Sequence, residues 1–213
     1  TDVHTTEYSP MIVHHPFASS GFMMLPGTNE ILDITASVES REKWRDFLGE
    51  KIDEAKTAYE IFLMLNKTYA LTFIKYAKDG LSASEFSEIL ADAWIKSEAP
   101  NMDVNVSKTE LVGLFSQADK QSLMTESEQK RFADLTETVT VYSGVTSYNA
   151  KNVRALSWTL DRSKAEWFAH RFGEDGKVYQ AQINKADILA IFTSRNESEV
   201  VLNPRKLQQL KAV

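Results

Sequence analysis

Three short segments carry residue types suited to chemistry. Glu197-Ser198-Glu199 stands directly before Val200-Val201-Leu202. In extended chain, residues two apart point to one side, so both carboxylates would project together, roughly 7 Å apart. Carboxylates are the residue type for acid–base and charge-stabilising work. In an acidic chain, the plain alternative is a solvated pair. In Ser157-Trp158-Thr159, a strand would send both hydroxyls one way and the indole the other. The alternative is a half-buried strand with no chemical role. Tyr142-Ser143-Gly144 ends an aromatic, β-branched run in glycine. That suits a backbone approached closely by a ligand, and an ordinary strand end is the alternative.

The elements that must position these segments follow from periodicity and capping. Residues 1–36 show no clean period and are punctuated by Pro10, Pro16, Gly21, Pro26 and Gly27, so an irregular arm or short edge strands are expected. Residues 38–78 read as helix, with Trp44, Leu48, Ile52, Ala55, Tyr59 and Phe62 on one face and a break near Asn66. Three capping boxes follow, Ser82 with Glu85, Ser107 with Glu110 and Thr125 with Glu128. They predict helices over 84–97, 108–118 and 126–134. From Glu137 the pattern turns strand-like, at 138–142, 155–160, 177–183, 188–192 and 199–202. One helix after Asp161 turns Ala165, Phe168, Ala169 and Phe172 inward. The expected class is α+β, with a mostly helical lobe over 1–136 and a strand-rich lobe with a mixed sheet over 137–213.

Composition excludes several classes. Among 213 residues there is no cysteine, which removes disulfide scaffolds, thiolate-ligated zinc and a thiol nucleophile. No apolar run approaches the ~20 residues of a membrane span, so no membrane role is expected. Net charge is −6 but uneven. Residues 137–213 hold 11 basic and 8 acidic residues of the chain's 24 and 30, leaving 13 and 22 for residues 1–136. The basic half suits an anionic small ligand. It lacks the concentrated stripe of a nucleic-acid binder, so nucleic acid is not an expected partner. His4, His14, His15 and His170 lack metal-ligand spacing and read as exposed, so no metal is expected. No signal-peptide pattern is evident. With Thr1 first, a removed leader is compatible with the sequence and the compartment stays open.

Taken in order, these segments form a strand ending in aromatic-x-Gly, a Ser-x-Thr strand feeding a helix, and Glu-x-Glu before a late strand. This order resembles the mono-ADP-ribosyltransferase family, in the branch with an Arg, Ser-Thr-Ser and Glu-x-Glu signature. The resemblance covers about residues 138–207, and Ala155–Thr159 followed by Ala165–Ala169 is its most specific stretch. The helical lobe is also similar to toxin and phage members. The resemblance implies NAD as substrate, no metal, and a target protein carrying an acceptor arginine. Glu199 matches the catalytic glutamate, which stabilises the oxocarbenium-like charge as the bond to nicotinamide breaks. Glu197 matches the acid that positions the acceptor, and a Glu there points to arginine. Ser157 would hold Glu199 and brace the NAD site, with Thr159 supporting the strand. Tyr142, Ser143 and Gly144 match the first-strand motif, whose backbone grips the nicotinamide amide.

One departure stands out. The family has Arg where this chain has Ser143, which removes a charge-assisted contact of about 1.5–3 kcal/mol. Arg154 or Arg195 is the candidate substitute. Trp167 and Phe168 read as core, with stacking on nicotinamide as the alternative. Asn203-Pro204-Arg205-Lys206 reads as a solvated turn. The expected activity is ADP-ribose transfer from NAD to a protein arginine, by a bacterial or phage protein acting in a host cytoplasm. NAD glycohydrolysis, a degenerate domain that only binds NAD or a partner, and a helical interaction module are the alternatives.

Overall fold

In the computed structural model of the chain, residues 3–173, 175–194 and 197–213 are described. Contacts group them into two units, residues 1–73 and 74–213.

In the first unit, the expected irregular arm is ordered into two small sheets. β1 (His4–Thr5), β2 (Ile12–His15) and β3 (Ala18–Ser20) form one, antiparallel, and β4 (Phe22–Met24) pairs with β5 (Ile31–Asp33) in the other. The strands are too short for a period to register in the sequence. Alternation in β2 turns Val13 and His15 inward, where Val13 joins Leu32, Ile34 and Trp44 in this unit's core. His15 therefore corrects the reading of exposed histidines. It is 5% exposed, and its ring meets Trp44 edge-on at 4.9 Å.

α1 (Val38–Glu54) starts at Ser37, whose hydroxyl accepts from the Ser40 N–H. The helix expected to run on from it stops early. Ala55 is extended, and Thr57 caps α2 (Ala58–Leu63) while the Glu60 carboxylate accepts from the Lys56 N–H. The apolar stripe from Trp44 to Phe62 is thus divided between two helices. A turn capped by Asn66 leads into α3 (Ala70–Ala77), which spans the division between the units.

In the second unit all three capping boxes are formed, and they start α4 (Ala83–Lys96), α5 (Lys108–Gln117) and α7 (Glu126–Ala133). Between them lies α6 (Lys120–Leu123), a single turn capped by Asp119 that is too short to show a period. The sheet comprises β6 (Thr138–Val145), β7 (Ser157–Thr159), β8 (Lys177–Asn184), β9 (Ile188–Phe192), β10 (Glu199–Leu202) and β11 (Gln208–Ala212). Its order is β11-β8-β6-β7-β10-β9.

The class is α+β as expected, but the sheet is antiparallel at every pairing rather than mixed. The reason lies in α8 (Arg162–His170), which connects β7 to β8. Those two strands run the same way but are not neighbours, because β6 lies between them and opposes both.

The division expected at 136/137 is also corrected. Helix gives way to strand there, between Ala133 and Thr138, yet α4–α7 belong to the same unit as the sheet. Phe115 of α5 packs edge-on against Trp94 of α4 at 5.1 Å and lies 6.4 Å from Phe192 of β9. The buried Glu128 caps α7 with one oxygen, and its other oxygen accepts from the Thr193 N–H at 2.7 Å and the Thr193 hydroxyl at 3.0 Å. A buried carboxylate with four such donors is well satisfied. One residue thereby ends a helix and ties it to the sheet.

Candidate active site

The register of the sheet gathers the three segments. Thr159 of β7 sits opposite Tyr142 on one side and Glu199 on the other, and Ser157 lies opposite Val201. Aromatic-x-Gly on β6, Ser-x-Thr on β7 and Glu199 at the start of β10 therefore lie on three adjacent strands, and with Glu197 they border one cavity of about 690 Å³. That is within the ~300–1,000 Å³ of small-molecule sites.

Glu199 is half-buried, and one carboxylate oxygen accepts from two donors. The Ser157 hydroxyl donates to Oε1, as does the Trp94 indole Nε1 at 3.1 Å. The hydrogen bond expected between Ser157 and Glu199 is present. Trp94 was not a candidate. Buried to 1% exposure on the inner face of α4, it reads in sequence as core, and nothing in its spacing points to a residue 105 positions away.

Glu197 reaches the same cavity by a different route from the one expected. It is not on the strand, because Ser198 has φ 47°, in the left-handed region. Strand alternation therefore does not relate the two carboxylates. A bend brings them to one cavity. For a serine, the left-handed backbone costs about 1–2 kcal/mol, and the surroundings hold it. The Ser198 carbonyl accepts from the Leu160 N–H at 3.2 Å, and its hydroxyl accepts from Arg131 Nη2 at 3.2 Å. Thr159, itself buried, donates its hydroxyl to the Glu197 carbonyl at 2.6 Å. Its role is thus to fasten the Glu-x-Glu bend to β7 as well as to border the cavity.

Tyr142, Ser143 and Gly144 all border the cavity from β6. The need for glycine at 144 comes from the protein itself. A Cβ there would lie 2.1 Å from the Ala165 carbonyl oxygen and 2.6 Å from the Ala169 nitrogen. Backbone-close packing of α8 on β6, rather than a ligand's approach, demands it. Ala165 and Ala169 are buried in that contact with Val178, and Tyr142 packs against them. Asp161 starts α8 by accepting from the Ser163 N–H and hydroxyl, and the hydroxyl bond holds its carboxyl below the usual range. Trp167 corrects the core reading. It is 61% exposed, edge-on to Phe168, and only Phe168 borders the cavity.

The expected substitute arginines are elsewhere. Arg154 donates through Nη1 to the Pro204 carbonyl at 2.9 Å and borders a second cavity, so the structure does not bring it to the first. Arg195 lies outside the described residues. Among those described, Arg171 is the one basic residue bordering the main cavity, with its guanidinium 5.2 Å above the Phe168 ring. It follows α8 directly, and nothing in the sequence set it apart from the other arginines. Glu98 adds a third carboxylate to the border.

No protein-family model matches the chain, and no curated protein or solved structure matches it either. Among the described residues, no three of His, Asp and Glu gather as metal ligands, and no helix is long and apolar enough to cross a membrane.

Proposed function

We propose that the protein transfers ADP-ribose from NAD to an arginine side chain of a target protein. One observation carries this reading. Glu199, oriented by Ser157 and Trp94, shares a cavity with Glu197 and with the end of the Tyr142 strand. The bond between the ribose anomeric carbon and nicotinamide nitrogen breaks, and its electron pair leaves with nicotinamide, which becomes neutral. Positive charge grows on the ribose. A carboxylate held in place before the reaction stabilises that charge without reorganising. The anomeric carbon then bonds to a guanidinium nitrogen, and the proton released passes to a base, the role this reading gives to Glu197. NAD's pyrophosphate is anionic, and among the described residues Arg171 is the cation at a border that also carries Glu98, Glu197 and Glu199.

Ser143, an uncharged residue on the cavity-bordering strand, favours a second reading in which the domain binds NAD and turns it over poorly or not at all. The two are separated by nicotinamide release from NAD alone and with a guanidino acceptor. Transfer predicts acceptor-stimulated release in the parent and loss of the stimulation, with residual NAD hydrolysis, in Glu197→Ala. No release in either condition would leave only the binding reading.

A further inference from the structure

A second cavity, of about 330 Å³, lies between the first turn of α5 and the turn after β10. Its charged border is entirely basic, consisting of Lys108, Arg154 and Arg205, and no carboxylate lines it among the described residues. The three cations come from separate parts of the chain. Lys108 opens α5, Arg154 precedes β7, and Arg205 follows Pro204 in the turn that reads in sequence as merely solvated.

Among the described residues, the hydrogen bonds that fix each cation go to neutral oxygens. Lys108 Nζ donates to the Asn152 side chain and to the Arg154 carbonyl at 2.9 Å. Arg154 donates to the Pro204 carbonyl at 2.9 Å, and Arg205 Nη2 donates to the Thr109 hydroxyl at 3.1 Å. A guanidinium has five N–H donors, so both arginines keep donors beyond these contacts. Burial pushes the Lys108 ammonium below its usual pKa, the mark of a cation removed from water without a counter-charge. Three like charges around a hollow repel one another, and an anion among them removes that cost. The start of α5, where Lys108 and Thr109 lie, adds the positive end of a helix dipole.

We propose that this cavity binds a phosphate group, either free phosphate or the phosphate of a small monoester. Two guanidinium forks and an ammonium match a tetrahedral dianion. Val112 and Pro204 offer apolar surface to an ester's carbon skeleton. The site is independent of the ADP-ribose reading, since none of its bordering residues lines the main cavity.

The test titrates the full chain with sodium phosphate, against sodium chloride at matched ionic strength, following the amide resonances of Lys108, Thr109 and Arg205. Ribose 5-phosphate is the second titrant. Saturable shifts with phosphate and not with chloride are expected. Arg205→Gln, an exposed site that donates to the Thr109 hydroxyl, should weaken binding about tenfold, with Arg205→Lys intermediate. Lys108→Met provides a second variant with the same expectation. Tighter binding of the ester than of phosphate identifies the ester as ligand, and equal binding identifies the free ion. Shifts that do not saturate, that chloride reproduces, or that both Arg205→Gln and Lys108→Met leave unchanged would overturn the proposal.

Discussion

Among the described residues, three carboxylates and the Arg171 guanidinium border the main cavity, so the proposed binding of an anionic substrate there draws on Arg171. Arg171→Ala should raise the Kd for NAD about tenfold, the worth of one charge-assisted contact. The loss should shrink at high salt, because part of it acts through screened solvent. Arg154→Ala should leave NAD affinity unchanged, because its guanidinium serves the second cavity. Calorimetric titration of the two variants checks this, and the reverse ranking would contradict it. At this scale the sequence was legible where residues act through order and spacing. Ser157 and Glu199 were paired through the family resemblance that the order of the three segments carries. Trp94 was not legible, because its contact with Glu199 spans 105 positions, and Arg171 was not, because no motif distinguishes it from the other arginines.

At the scale of elements, the contact of α8 with β6 leaves no room at Gly144 for a methyl group. Gly144→Ala should therefore lower stability by at least about 1–3 kcal/mol, the usual cost of overpacking. Urea unfolding measures it, and an unchanged midpoint would show that α8 stands off the strand. A second element-level expectation concerns the start of α5. Glu110 caps the helix and pairs with Lys75 Nζ at 2.9 Å, and its carboxyl is pushed down to about 2, first by the Lys75 hydrogen bond and then by Ser107. A carboxylate whose folded pKa is depressed stabilises the fold above its unfolded pKa and loses that contribution as pH falls through the folded value. The stability difference between the parent and Glu110→Gln should thus be full at neutral pH and fade from about pH 4.5 towards about pH 2. Because Glu110 is exposed and Lys75 is only half-buried, salt should diminish it. A difference that stays constant across this range would contradict the pairing. The capping boxes were readable because both halves of each are local. β11 was not, since Gln208–Ala212 is polar and mostly exposed and so shows no alternation. The break at Ala55 was also missed, although Thr57 and Glu60 have capping-box spacing, because they lie within an apolar stripe that looks continuous.

At the scale of the molecule, composition and period marked the change at Glu137 correctly as one of secondary structure, but contacts draw the division at 73/74. Sequence shows where periodicity changes, whereas a unit's edge depends on which apolar faces meet, and the α4–α7 faces meet the sheet. Every residue bordering the main cavity falls within 74–213. A chain starting at Asn66, which keeps α3 and the cap before it intact, should therefore unfold cooperatively and retain nicotinamide release. Loss of release in a folded truncation would show that residues 1–65 contribute to turnover. The most direct test of the central claim compares nicotinamide release by the parent chain and by Glu199→Gln, with NAD affinity measured in parallel. A carboxylate that acts on charge developed only in the transition state predicts release lowered at least about 100-fold with NAD affinity nearly unchanged. Undiminished release from a folded Glu199→Gln protein would contradict the assignment of Glu199 and, with it, the proposed reaction.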